Sequence, residues 1–321
     1  MNIDYYIQKF TKLKVDKAHG IAPHKPILLL SVIQLIEDGT IDRNEILVSP
    51  ELVGQFKTYW SKLVLTNHTE RFALPFFHLQ SDGFWFLKAN LGFEQVLKFK
   101  NVLRGFSNLI TAIDYAYLEE SLYDLLQTQE NREILRHIIL KTYFKESEMS
   151  FLNSENKYVQ DLSNQILEES PENYVRKIIM LKQELKEEDF QEEKFVRSGI
   201  FKREVLKVYH NTCCISELRI DAIMNISMVD VCHIDPFHES FNESVTNGFT
   251  LCPNLHRAFD NGLISVDDNY RVLISNRFKE NSNTPYRIKD FEQKLIILPQ
   301  NHKFYPSLEG FKKHREKFNF V

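Results

Sequence analysis

Four polar residues in the last third of the chain have the types and the spacing of a hydrolytic site. Asn247 follows His233 by fourteen positions, His256 comes nine positions later, and Asp260 another four. An imidazole whose pKa is near neutral can take a proton from water, and an imidazole beside a carboxylate can bind Mg²⁺, Mn²⁺ or Zn²⁺. Hydrolysis of a phosphodiester needs an activated water and a cation beside the leaving oxygen. These residues therefore predict a metal-dependent hydrolytic site.

His233 by itself has two interpretations. It lies near the end of an apolar, strand-like run within VCHIDPFHES, and a single histidine in such a run is commonly a packed core residue with a backbone partner. The same position also suits a general base. The residues that follow His233 in the sequence favour the interpretation as a general base.

The elements around His233 predict how these side chains come together. Residues 254–260 can form a short helix that ends at the Asn-Gly pair behind it. Positions i and i+4 share a helix face, so His256 and Asp260 can point at one cation. Two strands precede this helix and a hairpin through VDDNY follows it. The segment therefore predicts a small ββα unit in which His233 faces the same cleft.

The first strand offers two alternatives for a further metal ligand. Asp230 lies two positions before Cys232, so the two side chains share one face of the strand. A carboxylate at this place suits Mg²⁺ or Mn²⁺, whereas a thiolate favours a softer metal such as Zn²⁺. The chain has no CxxC pairs, which excludes a four-cysteine zinc knuckle, and Cys214 and Cys252 are predicted to be small buried residues.

This part of the chain resembles the HNH nucleases, which have the ββα-metal fold. The segments that carry the resemblance are FKREVLKVYHNTCCIS, DVCHIDP and TNGFTLCPNLHRAFDNGLIS, within residues 197–275. The resemblance implies a phosphodiester hydrolase in which His233 is the general base, Asn247 braces the loop and positions the base, and His256 binds a divalent metal. Many HNH proteins have an Asp or His immediately before the base, where this chain has Cys232.

The N-terminal third predicts a domain of helices and strands. Helices are predicted at 26–38, Leu52–Val64, 115–127 and 130–144 from apolar spacing and from Pro and Gly at their ends. The aromatic runs of LPFFHLQSDGFWFLK predict two strands joined by a hairpin at Ser-Asp-Gly, because an Asp-Gly pair favours a tight turn. The fold class is therefore predicted as α+β, with an N-terminal mixed helical domain (1–148), a charged helical linker (149–195) and a C-terminal ββα-metal domain (196–321).

Residues 5–145 resemble the DNA sulfur-binding domain of HNH restriction enzymes that depend on phosphorothioate-modified DNA. The segments IAPHKPILLLSVI and LPFFHLQSDGFWFL carry this resemblance. It implies that the partner is double-stranded DNA in which sulfur replaces one phosphate oxygen. In that family a Tyr commonly precedes the proline that contacts sulfur, whereas this chain has Leu74.

The chemistry of sulfur suggests how such a mark is recognised. Sulfur is larger, softer and less hydrated than oxygen, so a shallow apolar cup flanked by cations could distinguish it. The predicted cup is formed by Leu74, Pro75 and Phe76. His24 and Lys25 are predicted to grip the phosphate, and His78 is predicted to contact a phosphate or a base. In the alternative interpretation, Pro75 and Phe76 belong to the core of the hairpin.

Composition and charge restrict the classes of protein that the chain can be. Its 321 residues, 43% of them hydrophobic, suit two folded domains. The net charge of −4 argues against a broadly basic nucleic-acid binder, and the acidity is concentrated at 151–195, with 6 basic and 11 acidic residues. DNA contacts would then depend on local patches.

The chain also lacks the sequence signals of export. No run of eighteen apolar residues or secretory signal occurs, and the 4 cysteines are clustered, which predicts a soluble cytoplasmic protein with no membrane partner. Because one HNH site nicks one strand, double-strand breaks suggest a homodimer.

Overall fold

Helices and short antiparallel sheets make up this computed structural model, which describes residues 2–18, 20–98, 105–147, 157–220, 227–281, 283 and 286–320. The predicted α+β class is confirmed. The chain divides into unit 1, Met1–Asp161 with Leu185–Val196, and unit 2, Leu162–Glu184 with Arg197–Val321. The predicted linker is shared between the two units, and its boundaries stay a prediction.

Unit 1 is mainly helical, with one two-stranded sheet. Its elements are α1 Ile3–Thr11, α2 His24–Glu37, α3 Pro50–Leu63, α4 Ala73–His78, β1 Trp85–Ala89, α5 Phe106–Ala112, β2 Ile113–Leu118, α6 Glu120–Leu126 and α7 Gln129–Tyr143. Two further helices begin in unit 1 and end in unit 2: α8 Lys157–Glu168 and α10 Glu187–Val208.

Helix α2 forms the core of unit 1. It is apolar on every side, as expected of a helix that is surrounded by others, and α3, α4 and α7 pack against it. Pro26 lies in its first turn, where a missing N–H costs no helical hydrogen bond. The helices predicted at 26–38, Leu52–Val64 and 130–144 are confirmed by α2, α3 and α7.

Two sequence predictions for unit 1 are wrong. The first half of the expected hairpin is helical, because α4 is followed by a 3-10 turn over Leu79–Asp82, and β1 pairs with β2 instead. A short aromatic run is compatible with a buried helix or a buried strand, and here Trp85 Nε1 donates to the Phe76 carbonyl oxygen across the turn (2.9 Å). The helix expected at 115–127 likewise begins only at Glu120, since the preceding residues form β2.

Unit 2 contains the ββα unit that was predicted around His233. Its remaining elements are α9 Pro171–Glu184, β3 Asp230–His233, α11 Phe237–Ser240, β4 Gly248–Leu251, α12 Pro253–Asp260, β5 Ile264–Val266, β6 Val272–Ile274 and α13 Leu308–Lys317. β3 and β4 are antiparallel, as are β5 and β6. Gly262, with φ +64°, follows α12 in the left-handed conformation that the Asn-Gly pair predicted. Among the described helices, none is long and apolar enough to span a bilayer.

Candidate active site and a second pocket

The pairing of β3 with β4 places His233 against an aromatic ring. His233 lies opposite Gly248 in the register, and a Cβ atom on Gly248 would come within 2.7 Å of both the Phe201 ring and Val205. The missing side chain therefore leaves room for Phe201, which stacks on the His233 imidazole with ring centroids 4.6 Å apart. This close approach gives a physical reason for the glycine that follows Asn247.

His233 is held as a neutral imidazole. Burial lowers its pKa to about 4, and the positive charges of Lys202 and His256 act in the same direction. Its Nε2 atom is buried and has no hydrogen-bond partner among the residues that the structure describes. The nearest carboxylate is that of Glu243, whose Oε1 lies 3.9 Å from Nε2. At neutral pH the ring can therefore accept a proton.

Asn247 closes the loop that follows His233. Its Oδ1 accepts from the Asp235 backbone N–H (2.9 Å), and its Nδ2 donates to the carbonyl oxygens of Asp235 (2.9 Å) and Asn242 (2.8 Å). The side chain is buried. These bonds satisfy the amide at both ends and fix the loop on both sides of α11.

Helix α12 presents two of the predicted ligands on its polar face. Leu255, Ala258 and Phe259 are buried and fix the rotation of the helix, which turns His256 and Asp260 outward. His256 Nε2 lies 3.5 Å from Asp260 Oδ2.

The third predicted ligand, the Asp230 carboxylate, reaches the same histidine from β3. His256 Nδ1 lies 3.4 Å from Asp230 Oδ2. All three side chains line a cleft of about 500 Å³ together with Pro253, Asn254 and Arg257. The structure therefore brings Asp230, His256 and Asp260 together.

The donors at this cleft fit a divalent cation. The Cys232 thiol, a His256 ring nitrogen and an Asp260 carboxylate oxygen lie within 4.8 Å of one another. Burial raises the pKa of Cys232 well above its ordinary value, and the charge of Asp260 raises it further. A protonated thiol is a poor ligand, so the imidazole and carboxylates on the open side form the better donor set.

His233 lies next to this cleft and not in its lining. The residue follows Cys232 on β3, and His256 is close enough for its charge to lower the pKa of His233. The predicted base, the brace and the ligands thus belong to one small region of unit 2. Their catalytic roles stay predictions.

A second pocket, in unit 1, collects most of the residues predicted to contact DNA. It has a volume of about 360 Å³. Five of the six predicted residues line it, namely His24, Lys25, Leu74, Pro75 and His78. Phe76 does not, because it is fully buried between Phe72 and Trp85. For Phe76 the core interpretation therefore describes the structure better than the cup does.

The cation predicted to grip phosphate is already paired inside unit 1. Lys25 is 7% exposed, and its Nζ donates to Asp82 Oδ2 (2.7 Å), Lys14 O (2.8 Å) and Ser81 Oγ (3.0 Å). These bonds engage all three ammonium hydrogens. His24 Nε2 similarly donates to the Thr69 carbonyl oxygen (2.8 Å). Lys25 therefore lies at the pocket as a structural group and has no N–H to offer a ligand.

Sequence reasoning missed residues at both sites. Lys14 and His68 also line the unit 1 pocket, but neither belongs to a recognisable pattern. Glu243, beside His233, is the only acidic residue between Glu239 and Asn247, which is too weak a signal to single it out. Only the folded loop shows that this carboxylate is buried.

One family model matches part of unit 2. Residues 213–267 match a model described as HNH endonuclease, and the predicted resemblance of this region is thereby confirmed. Among curated proteins, no sequence matches the chain.

Two solved structures show weaker likenesses. A modification-dependent TagI restriction endonuclease is 18% identical, with 38% of each chain covered and a TM-score of 0.27, so this chain spans less than half of that enzyme. The type IV phosphorothioation-dependent restriction endonuclease ScoMcrA is 11% identical, with 79% of this chain and 94% of that chain covered and a TM-score of 0.32.

Proposed function

We propose that this chain, whose second unit contains an HNH endonuclease domain, is a metal-dependent DNA endonuclease of the modification-dependent restriction type. Unit 1 recognises phosphorothioate-modified double-stranded DNA, and unit 2 hydrolyses phosphodiesters. The observation that carries the hydrolytic part is the contact of His256 with both Asp230 and Asp260 in the region that also contains a neutral His233.

The proposed reaction assigns one task to His233. A water oxygen attacks phosphorus while the imidazole takes one of the water protons, and the bond from phosphorus to the leaving oxygen breaks. The leaving oxygen then takes a proton from solvent. His233 suits the first step because it is neutral at physiological pH. Asn247 keeps the loop behind the base in place.

The proposed ligands of the ion are His256, Asp260 and Asp230. Two carboxylates and one imidazole suit Mg²⁺ or Mn²⁺, and Zn²⁺ would draw in Cys232 as well. A divalent ion held by these residues would stabilise the negative charge that develops on the leaving oxygen. The cleft is open and about 500 Å³ in volume, so a phosphate group has room to enter.

The pocket of unit 1 supports recognition of a sulfur atom. Leu74 and Pro75 form an apolar part of its wall, with Val15 and Ala22 beside them. Three histidines, His24, His68 and His78, line the same pocket. Apolar contacts favour the poorly hydrated sulfur. Because His24 Nε2 already donates to the Thr69 carbonyl oxygen, the proposed contacts with the remaining phosphate oxygens come from His68 and His78.

Cleavage of both DNA strands in one binding event needs an active site on each strand. Since each chain has one HNH site, we propose that a homodimer places a second copy on the opposite strand. Analytical ultracentrifugation with and without DNA measures the oligomer. A monomer on DNA would contradict the homodimer and would mean that the two strands are cut in separate events.

The test is cleavage of sulfur-modified and unmodified plasmids of the same sequence with Mg²⁺, Mn²⁺ or Zn²⁺. We expect cleavage of the modified plasmid only, with loss of activity on chelation. Equal cleavage of both plasmids would support an HNH nuclease that is directed by another mark or by a defence partner. No cleavage of either, together with DNA binding that His233→Ala leaves unchanged, would support a non-catalytic regulator.

A further inference from the structure

We infer that Glu243 is a positioning residue for His233. Its carboxylate accepts a hydrogen bond from the Nε2–H of His233, so that Nδ1 remains the proton acceptor. The inference rests on the proposed nuclease function, since it is His233 as base that needs a fixed tautomer. It adds to the HNH residues a carboxylate that no sequence pattern marks.

Glu243 is a buried carboxylate that other elements of unit 2 hold in place. It is 1% exposed. Its Oε1 accepts a hydrogen bond from the Ser198 hydroxyl of α10, and its Oε2 accepts one from the Tyr174 hydroxyl of α9 (3.4 Å). Both partners are donors, which stabilises the ionised form of a group that would otherwise be costly to bury.

This carboxylate lies at the nitrogen that needs a partner. Glu243 Oε1 is 3.9 Å from His233 Nε2, and Nε2 is buried with no hydrogen-bond partner within the described residues. Buried polar atoms are nearly always satisfied in folded proteins. A shift of about 1 Å would bring the pair to the ordinary N–H···O distance of about 2.9 Å.

The proposed reaction explains why the base needs a negative charge behind it. When the ring takes a proton it becomes a cation in a place where burial, Lys202 and His256 all disfavour positive charge. Of the groups that face the ring, Lys202 on α10 and His256 on α12 oppose the cation, and Glu243 in the loop before Asn247 stabilises it. A carboxylate on Nε2–H also fixes the tautomer in which Nδ1 carries the lone pair.

A purely structural role for Glu243 makes a different prediction. If the carboxylate only fastens its loop to α9 and α10, removal of Ser198 or Tyr174 hydroxyls should harm activity as much as a change at Glu243. If it positions the base, those hydroxyls should affect stability while the carboxylate affects His233 itself.

The experiment compares Glu243→Gln with Ser198→Ala and Tyr174→Phe in the full chain. Histidine labelled with ¹⁵N reports the tautomer of His233, whose signals are assigned by their loss in His233→Ala. In wild type we expect the Nε2–H tautomer. In Glu243→Gln we expect a mixed tautomer and a fall in kcat on the order of 100-fold, with DNA affinity unchanged. The two hydroxyl variants should keep the wild-type tautomer.

The outcomes separate this inference from the nuclease proposal. If wild type cuts no DNA, the proposed function fails, while the tautomer comparison still tests Glu243. If Glu243→Gln keeps both the tautomer and kcat of wild type, the inference is overturned. Should Glu243→Gln fail to fold, Glu243→Asp replaces it, and we expect the shorter carboxylate to give a partial loss of kcat; an unchanged kcat and tautomer would overturn the inference equally.

Discussion

His233 and His314 lie in the same unit, and each stacks on a phenylalanine ring and has a lowered pKa. His233 stacks on Phe201 (4.6 Å between centroids) and His314 on Phe259 (3.8 Å). Burial lowers the pKa of each ring to about 4. They differ in their hydrogen bonds: His314 Nδ1 accepts from Ser265 Oγ (2.9 Å) and its Nε2 donates to the Phe259 carbonyl oxygen (3.0 Å), whereas the buried Nε2 of His233 is unsatisfied among the described residues.

Hydrogen bonding separates a core histidine from a candidate base in this unit. Burial, stacking on a phenylalanine and a low pKa are common to both rings, so none of these properties marks a catalytic group. Both ring nitrogens of His314 are engaged in hydrogen bonds within the fold, so neither is available for proton transfer. The buried Nε2 of His233 has no hydrogen-bond partner among the described residues. The ring also lies beside the buried Glu243 carboxylate and a set of metal donors, where it could take part in proton transfer.

Replacement of His233 tests this contrast directly. We expect His233→Ala to lower the cleavage rate about 1,000-fold, because a general base acts in the chemical step, while DNA affinity stays within about twofold of wild type. Single-turnover cleavage and fluorescence anisotropy measure the two quantities. Cleavage at the wild-type rate would place the base elsewhere and make His233 a second core histidine.

His256→Ala should remove a ligand of the ion. We expect the affinity for Mn²⁺, measured by calorimetry, to fall on the order of 100-fold, with cleavage partly restored by excess metal. His238→Ala is the matched control, since His238 is an exposed histidine of α11 whose side chain is 78% accessible and lies outside the cleft lining. Equal metal affinity in the two variants would exclude His256 as a ligand.

In unit 1, Lys25 resembles His314, because its polar atoms are already hydrogen-bonded within the fold. We expect Lys25→Ala to lower the free energy of unfolding by about 3 kcal/mol, because Asp82 would keep a buried, unpaired charge. Urea denaturation measures the loss, and Asp82→Ala in the same chain should recover part of it. Unchanged stability combined with weaker, less salt-dependent DNA binding would instead make Lys25 a phosphate contact.

The pKa of His314 predicts acid sensitivity. The unfolded chain takes up this proton near pH 6.5 and the folded chain only near pH 4. Stability is therefore complete above about pH 6.5 and decreases as the pH falls toward about 4, by about 3 kcal/mol for this residue. His314→Gln should remove about half of the pH dependence of unfolding in that window, because the pKa of His233 is lowered to about 4 as well and its contribution stays. The same slope in the variant would assign the effect to other groups.

The sequence predicted the ββα unit well because its determinants are local. The i, i+4 spacing of His256 and Asp260 follows from helix geometry alone, and the Asn-Gly pair is itself a turn signal. The failures depend on distant contacts. The aromatic run at Ala73–His78 became a helix because its partners are buried rings, and the roles of Glu243 and Lys25 depend on Tyr174 and Asp82, which are remote in sequence.

A smaller change is expected from the apolar wall of the unit 1 pocket. Pro75→Ala removes part of the surface that would contact sulfur, which should lower the preference for modified over unmodified DNA about fivefold, with affinity for unmodified DNA nearly unchanged. Pro50→Ala, at the start of α3 and outside the pocket lining, is the control. An equal loss for both DNAs would mean that Pro75 supports the fold of α4, and the sulfur contact would then have to come from the side chains that remain around it.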